Sequence, residues 1–410
     1  MNCLCRFCQK TMSQTLVDLG ETPLANSYLS TNHAESMALE KRFPLRVMVC
    51  NSCWLAQTTE TIPADSIFKQ DYAYLSSYSS GWVAHAHRYA DEMSKRFDLG
   101  PNSKVVEIAS NDGYLLQHFV ALNIPVLGVE PAGAAAALAE RVGVPTRVMF
   151  FDETSAITLR EEGITADLMV ANNVLAHVPN IRSFVAGFKT LMNPNGVATF
   201  EFPHIASLMG SVQFDTIYHE HYSYLSLTFL KKLVSEIGMS IFDVEKLPTH
   251  GGSLRVFICH PNAHCKSSAV DNILAQEVAI ELDKPAGYEG FTAKVNKVTF
   301  DFWTFLAKAK AHGKTVAGYG AAAKGNTFLN VAKVGSSDID FVVDLNIQKQ
   351  GKLLPGSHIP VISPKKLTEL KPDYLVILPW NLADEIIEQQ QGIREWGGQF
   401  VTAIPELRIR

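Results

Sequence analysis

Residues 104 to 130, KVVEIASNDGYLLQHFVALNIPVLGVE, alternate an apolar strand, a polar turn, an amphipathic helix and a second apolar strand. This is the opening of a βαβ unit, and it commits the chain to an α/β fold with a parallel sheet covered by helices. The strand VVEI carries Glu107 and runs into the turn ASNDG. A second acid, Glu130, closes the next strand about twenty residues on, where a carboxylate accepts both ribose hydroxyls of an adenosine. Glu130 and the following Pro131 are therefore expected on an adenosine-bearing cofactor.

The loop between those strands selects among such cofactors. A dinucleotide asks for G-x-G-x-x-G, whose glycines let the backbone approach a pyrophosphate. Here only Gly113 remains, and Ala109 and Asn111 stand where the earlier glycines of an E-x-G-x-G-x-G loop would be. S-adenosylmethionine has no phosphate, so a looser loop with acceptors at Asn111 and Asp112 is acceptable. Farther on, FFDETSA offers Phe151 as an aromatic wall and Asp152 as an acid for adenine. ADLMVANNVLAHVPN reads as a strand running into Asn172, Asn173 and His177, and GVATFEFPH as the next apolar strand. Acid, loop, acid, aromatic and then Asn and His is the order a methyltransferase sheet presents along its carboxyl edge. A doubly wound domain for a different ligand is the alternative.

Seven cysteines in 410 residues, crowded toward the start, do not make a disulfide framework. Cys5-Arg-Phe-Cys8 and Cys50-Asn-Ser-Cys53 are instead two C-x-x-C knuckles whose four thiolates suit a tetrahedral, structural zinc. The spacer of about forty residues exceeds the ~15–20 of a common zinc ribbon, so the chain between must fold as an insertion. Cys3 has the wrong spacing for a knuckle and is expected to be a bystander. A net charge of −5 gives no basic patch for nucleic acid or an anionic membrane. No apolar run approaches a membrane span and the start lacks a signal-peptide core, so a cytoplasmic location is expected. The expected partner is a small molecule, with the chain acting as a monomer.

After a mixed-charge helical stretch, KTVAGYGAAAKGNTFLNVA, DIDFVVDLN and PDYLVILPW give three more apolar strands and hence a second open α/β sheet. Gly318-Tyr319-Gly320 followed by Lys324 resembles a glycine-rich nucleotide loop at a helix N-terminus. Lys324 and Asn326 are candidates to grip a diphosphate, and Asp344 closes the following strand. A bare G-x-G is weak, and a domain without a ligand is the other reading.

The run FDTIYHEHYSYLS, residues 214 to 226, leaves its role open. An extended backbone sends Tyr218, Glu220 and Tyr222 to one side and His219 and His221 to the other, whereas a helix spreads them around. A metalloprotease helix needs H-E-x-x-H, but the second histidine's position holds Ser223. A metal on His219 and His221 lacks a third ligand. A hydrogen-bonded polar edge is the plain alternative.

EIASNDGYLLQ, ANNVLAHV, FEFPH, IYHEHYSYLS, THGGSLRVF and GYGAAAKGNTFLN, in order and together with the paired cysteines, resemble the sugar C-methyltransferases that build branched deoxysugars. The resemblance implies a zinc-binding domain over 1–70, a Rossmann-like class I methyltransferase domain over 71–260, and a C-terminal Rossmann-like nucleotide-sugar-binding domain over 261–410. It implies methyl transfer from S-adenosylmethionine to a carbon beside the ketone of an NDP-4-keto-6-deoxysugar, usually C3. By the same resemblance His221 is the base, Tyr218 an acid or base beside it, and Glu220 an orienting carboxylate; His219 has no role. Tyr72 matches an active-site tyrosine, and Tyr74 of the same DYAYLSSYSSGW run is expected near the sugar. Asn173 and His177 face donor and sugar, with His177 polarising the keto oxygen or capping the turn after it. His250 and Ser253 of LPTHGGS are expected beside the substrate. An NAD-dependent oxidoreductase using the C-terminal loop, and a non-catalytic nucleotide-sugar binder, are the competing functions.

Overall fold

The computed structural model describes residues 3–30, 39–63 and 75–410. Its centre is a seven-stranded sheet. In spatial order the strands are Ser240–Leu247, Ser253–Cys259, Met192–Pro203, Ala166–Asn172, Val105–Ile108, Val126–Val129 and Thr146–Arg147. Only Ser253–Cys259 runs against the rest. The two-residue period of a strand decides which side chains enter which core. Val105, Leu168, Val170, Val197 and Phe257 pack under the helices Ser80–Arg96 and Leu116–Ala121. Val106, Met169, Ala171, Ala198 and Phe200 pack under Ile181–Leu191 and Leu227–Ile237. The chain reverses winding between Val105–Ile108 and Ala166–Asn172, and the crevice at the carboxyl ends there is where such sheets bind ligands.

The C-terminal sheet is ordered Val361–Ile362, Val342–Val343, Val316–Tyr319, Tyr374–Ile377, Gln399–Thr402 and Arg408–Ile409, parallel except at its last edge. All three expected apolar segments supply strands to it. Three glycines in and around its first loop have packing reasons. A Cβ on Gly318 would lie 2.8 Å from Val342, one on Gly320 2.5 Å from Pro379, and one on Gly325 2.9 Å from Leu378.

The N-terminal unit joins the other two. Gln14–Thr22, Phe43–Val49 and Ala56–Thr58 form an antiparallel sheet whose fourth strand is Ser223–Tyr224, from the run that carries the two histidines. Its cysteine end packs into the core of the central domain. Its apolar face, with Leu16, Leu45, Val47 and Val49, shares a core with Phe291, Val295 and Phe302 of the long helix Phe291–Ala311. Leu29–Ser30 also pairs with Lys352–Leu353 of the C-terminal domain.

Candidate active site

Four sulfurs come together first. The Sγ atoms of Cys5, Cys8, Cys50 and Cys53 all lie within 4.8 Å of one another. Cys5 to Cys53 is 3.5 Å and Cys8 to Cys50 is 3.4 Å, near the ~3.8 Å edge of a tetrahedron with zinc–sulfur bonds of about 2.3 Å. No two are joined as a disulfide, and Cys3 is not in the group. The donor set fits a closed structural zinc site.

At the carboxyl edge of the central sheet, Ala109 and Asn111 take left-handed backbone (φ 55° and 50°), a conformation that the loop's sequence disguises by lacking glycine there. Gly113 (φ 78°) is required twice over, because a Cβ would also sit 3.1 Å from Val142. Glu130 holds the loop shut: one carboxylate oxygen accepts the Asn111 N–H at 2.9 Å, the other the Ala132 N–H at 2.8 Å. Burial pushes the Glu130 carboxyl up and the two N–H donors pull it down, with burial prevailing. Asn111 and Asp112 also accept the N–H groups of Ser76 and Ser77, tying the next segment over the loop. Pro131 leads into the helix Gly133–Arg141, and Phe151 packs edge-on to Phe184 and Phe188.

Several buried polar atoms on this edge have no hydrogen-bond partner among the described residues. They are Glu107 Oε2, Ser110 Oγ, Asp112 Oδ1, both amide atoms of Asn172, and Asn173 Oδ1. Buried polar atoms are ordinarily satisfied, so this orphaned edge fits a polar adenosyl cofactor. Burial holds the Glu107 carboxyl well above the usual range.

Across its two histidines the run is a turn, neither extended nor helical. His221 N–H donates to the Tyr218 carbonyl at 2.9 Å, closing a turn. The turn folds the His221 ring back to 4.0 Å from Tyr218 and 4.6 Å from His177. His221 Nδ1 lies 2.7 Å from the Thr216 carbonyl. A carbonyl only accepts, so Nδ1 carries the proton and Nε2 the lone pair. Burial pushes the His221 imidazole well below its usual range, reinforced by His177, Lys324 and His250. The ring is neutral, with its lone pair at Nε2. His219, at the tip of the turn, reaches the Phe43 and Pro44 carbonyls at 3.3 and 3.2 Å and pins the run to the N-terminal sheet. That is the role the sequence left blank.

Asn173 (φ 57°) and His250 (φ 54°) meet across the cleft, the Asn173 amide donating to His250 Nε2 at 3.0 Å. Desolvation in the cleft lowers both His177 and His250 to about 4. Lys324 enters from the C-terminal domain. Its Nζ lies 5.3 Å from the Trp380 ring and has no hydrogen-bond partner among the described residues. Burial lowers it, and Asp215 opposes the fall. Asp215 in turn accepts from Trp380 Nε1 at 2.8 Å.

Other expected residues have partners within the protein. Glu220 accepts from Asn26 at 2.6 Å, Asn326 donates to the Ala25 carbonyl at 2.6 Å, and Ser253 donates to the Thr249 carbonyl at 2.9 Å. The close approach that Gly251 and Gly252 permit is made by Trp380 and Ser207, not by an open ligand pocket. Tyr72 and Tyr74 lie outside the described residues, and Tyr78 is exposed. The largest omission from the sequence reading is Glu201. It accepts from Thr249 at 2.9 Å and Arg255 at 3.2 Å and contacts His85 Nε2 at 2.9 Å, with Trp82 stacked on His85 at 4.9 Å. An acid inside the apolar string FEFPH was its one signal.

Known proteins align with this arrangement. A zinc binding domain matches residues 5–68, a methyltransferase domain 82–244, and a C-methyltransferase C-terminal domain 248–405. The C-methyltransferase NovU of Streptomyces niveus is 35% identical over 406 residues, spanning 99% of this chain and 96% of NovU. A ubiquinone biosynthesis O-methyltransferase of Rhodopseudomonas palustris (strain BisA53) is 22% identical over 156 residues, 33% of this chain and 62% of that protein. Among solved structures, the magnesium protoporphyrin IX methyltransferase of Synechocystis PCC 6803 with bound SAM is 13% identical, covering 44% of this chain and 81% of that one. The TM-score of that alignment is 0.33. No helix among the described residues is long and apolar enough to cross a membrane. With the four-cysteine site, the sheet order and a full-length relative in agreement, the chain belongs to the C-methyltransferase family, as a zinc-binding enzyme dependent on S-adenosylmethionine.

Proposed function

We propose that the enzyme methylates C3, beside the ketone, of a nucleotide-linked 4-keto-6-deoxysugar. The observation that carries this reading is His221: a buried imidazole, neutral, with Nδ1 committed to the Thr216 carbonyl and the Nε2 lone pair available to take a proton, among His177, His250 and Lys324. Carbon becomes a nucleophile toward a methyl donor once a proton beside a ketone is removed and the enolate oxygen is held.

In this reading His221 Nε2 takes the proton on C3 and the electron pair moves onto the keto oxygen. Tyr218, whose ring lies tilted against the imidazole with centroids 4.0 Å apart, relays the proton outward. Lys324 and His177 hold the charge on the oxygen: a buried cation without a competing hydrogen bond is worth more there than in water. S-adenosylmethionine, when bound, supplies the electrophilic methyl group. Glu130, Asp112 and Asn172 would hold it, and Asn173 stands between it and the sugar. Because the Asn326 amide is committed to Ala25, the C-terminal contact with the sugar nucleotide is assigned to Lys324. The oxidoreductase reading finds no support in a loop whose glycines are consumed by Val342, Pro379 and Leu378.

Incubation with TDP-, GDP- and CDP-linked 4-keto-6-deoxysugars, followed by mass spectrometry, identifies the acceptor. His221→Ala is expected to abolish both methyl transfer and exchange of the C3 proton with deuterated solvent, while binding S-adenosylmethionine normally. Normal turnover in that variant would remove His221 from the role of base.

A further inference from the structure

The acid/base turn is held from outside through one residue, Tyr222. Its N–H donates at 2.8 Å to the carbonyl of Ala176, the neighbour of His177, so one backbone contact sets His177 and His221 side by side. Its carbonyl accepts the Thr58 N–H at 3.1 Å and also a guanidinium N–H of Arg6. Its hydroxyl donates to the carbonyl of Ile62. Arg6 is therefore bonded to a residue 216 positions away. It stands between Cys5 and Cys8, its own N–H donates to Gln57 Oε1 at 3.0 Å, and its Nη1 donates to the Thr58 carbonyl at 2.7 Å. A side chain whose backbone is flanked by two metal ligands thus grips two carbonyls with one rigid fork, one in the zinc-bearing sheet and one next to His221. A lysine ammonium lacks that fork.

We propose that Arg6 is a positioning residue for methyl transfer: anchored in the first cysteine knuckle, it fixes through Tyr222 the mutual placement of the His177 and His221 rings. The inference rests on the reading of His221 as base. It gives the zinc-binding knuckle a task beyond its own folding. The Thr58 contact to Tyr222 survives loss of the Arg6 side chain, so the turn stays attached but loses one of its two carbonyl donors. Loose placement of a catalytic group, not its removal, is the expected defect, and misplacement by about 1 Å costs on the order of 100-fold in rate.

The test compares Arg6→Ala, Arg6→Lys and His221→Ala in the full-length, zinc-loaded protein, using the panel sugar that the unaltered enzyme methylates. Zinc content, S-adenosylmethionine affinity, KM and kcat are measured separately, and the His177 and His221 ring signals are followed by NMR without substrate. Arg6→Ala should retain its zinc, its cofactor affinity and a KM within about threefold, lose roughly 10- to 100-fold in kcat, and shift both ring signals. Arg6→Lys, which keeps the stem and charge, should hold zinc and recover part of kcat; it decides the matter if the alanine variant misfolds. Wild-type kcat in the lysine and alanine variants alongside an inactive His221→Ala overturns the role of Arg6 alone. Full turnover in His221→Ala overturns the base assignment and this inference with it.

Discussion

His177 and His250 show how the cleft sets protonation by desolvation. Both sit near 4, against 6.5 for a free imidazole. A group whose folded value is depressed contributes its stability above the unfolded value and loses it as pH falls toward the folded one. Folding stability from these two side chains is therefore intact above pH 6.5 and is lost between 6.5 and 4, by about 2 kcal/mol each at pH 5. Urea titrations at pH 7 and pH 5, with zinc retained, should show that drop, and a His177→Asn, His250→Asn double variant should show a smaller one, the share of the likewise depressed His221 remaining. An equal fall in the double variant would place the acid sensitivity elsewhere. The left-handed Ala109 and Asn111 were not legible as such: their side chains give no sign of a conformation that the loop geometry imposes.

Between elements, the buried Glu201 ties the strand Met192–Pro203 to the antiparallel strand beside it and to the helix Ser80–Arg96. Burial raises the Glu201 carboxyl, but His85, Arg255 and Thr249 outweigh it and hold the group below the usual carboxylate range. Removing one partner of a buried pair strands the other, at a cost of about 3–5 kcal/mol. Glu201→Ala should lose that much in urea denaturation and Glu201→Gln less; a change near zero in both would mean that Glu245 and Glu92, the other acids beside Arg255, suffice. Four of the seven central strands and the cysteine knuckles were legible because periodicity and ligand spacing are local signals. Glu201, Asn26 and the Tyr218–His221 turn were not, since each depends on a partner or a fold of the chain that no short window contains. Asn26 illustrates this: it lies in no motif, yet its amide orients Glu220 from 194 residues away.

At the scale of the whole molecule, the N-terminal unit is the piece that the other two share. Cysteines at one end pack with Phe229 and Phe200 of the central domain, while the opposite face packs on the helix Phe291–Ala311. Structural zinc sites supply folding free energy outright. Chelation of the metal should therefore melt the N-terminal sheet, lower the thermal midpoint and abolish methyl transfer together, with recovery on adding zinc back; metal analysis, circular dichroism and turnover on one sample would check this. A chelated protein with unchanged melting and full activity would separate the metal from the fold. The shared core also has a consequence for how the chain comes off the ribosome. Val47 and Val49 emerge about 240 residues before Phe291, their cover in the finished protein. At ~5–20 residues per second of synthesis, that apolar face waits for tens of seconds in a nascent chain. For that interval the first-made unit is an open hydrophobic surface, which makes the speed of translation and the supply of chaperones part of what determines the yield of this enzyme.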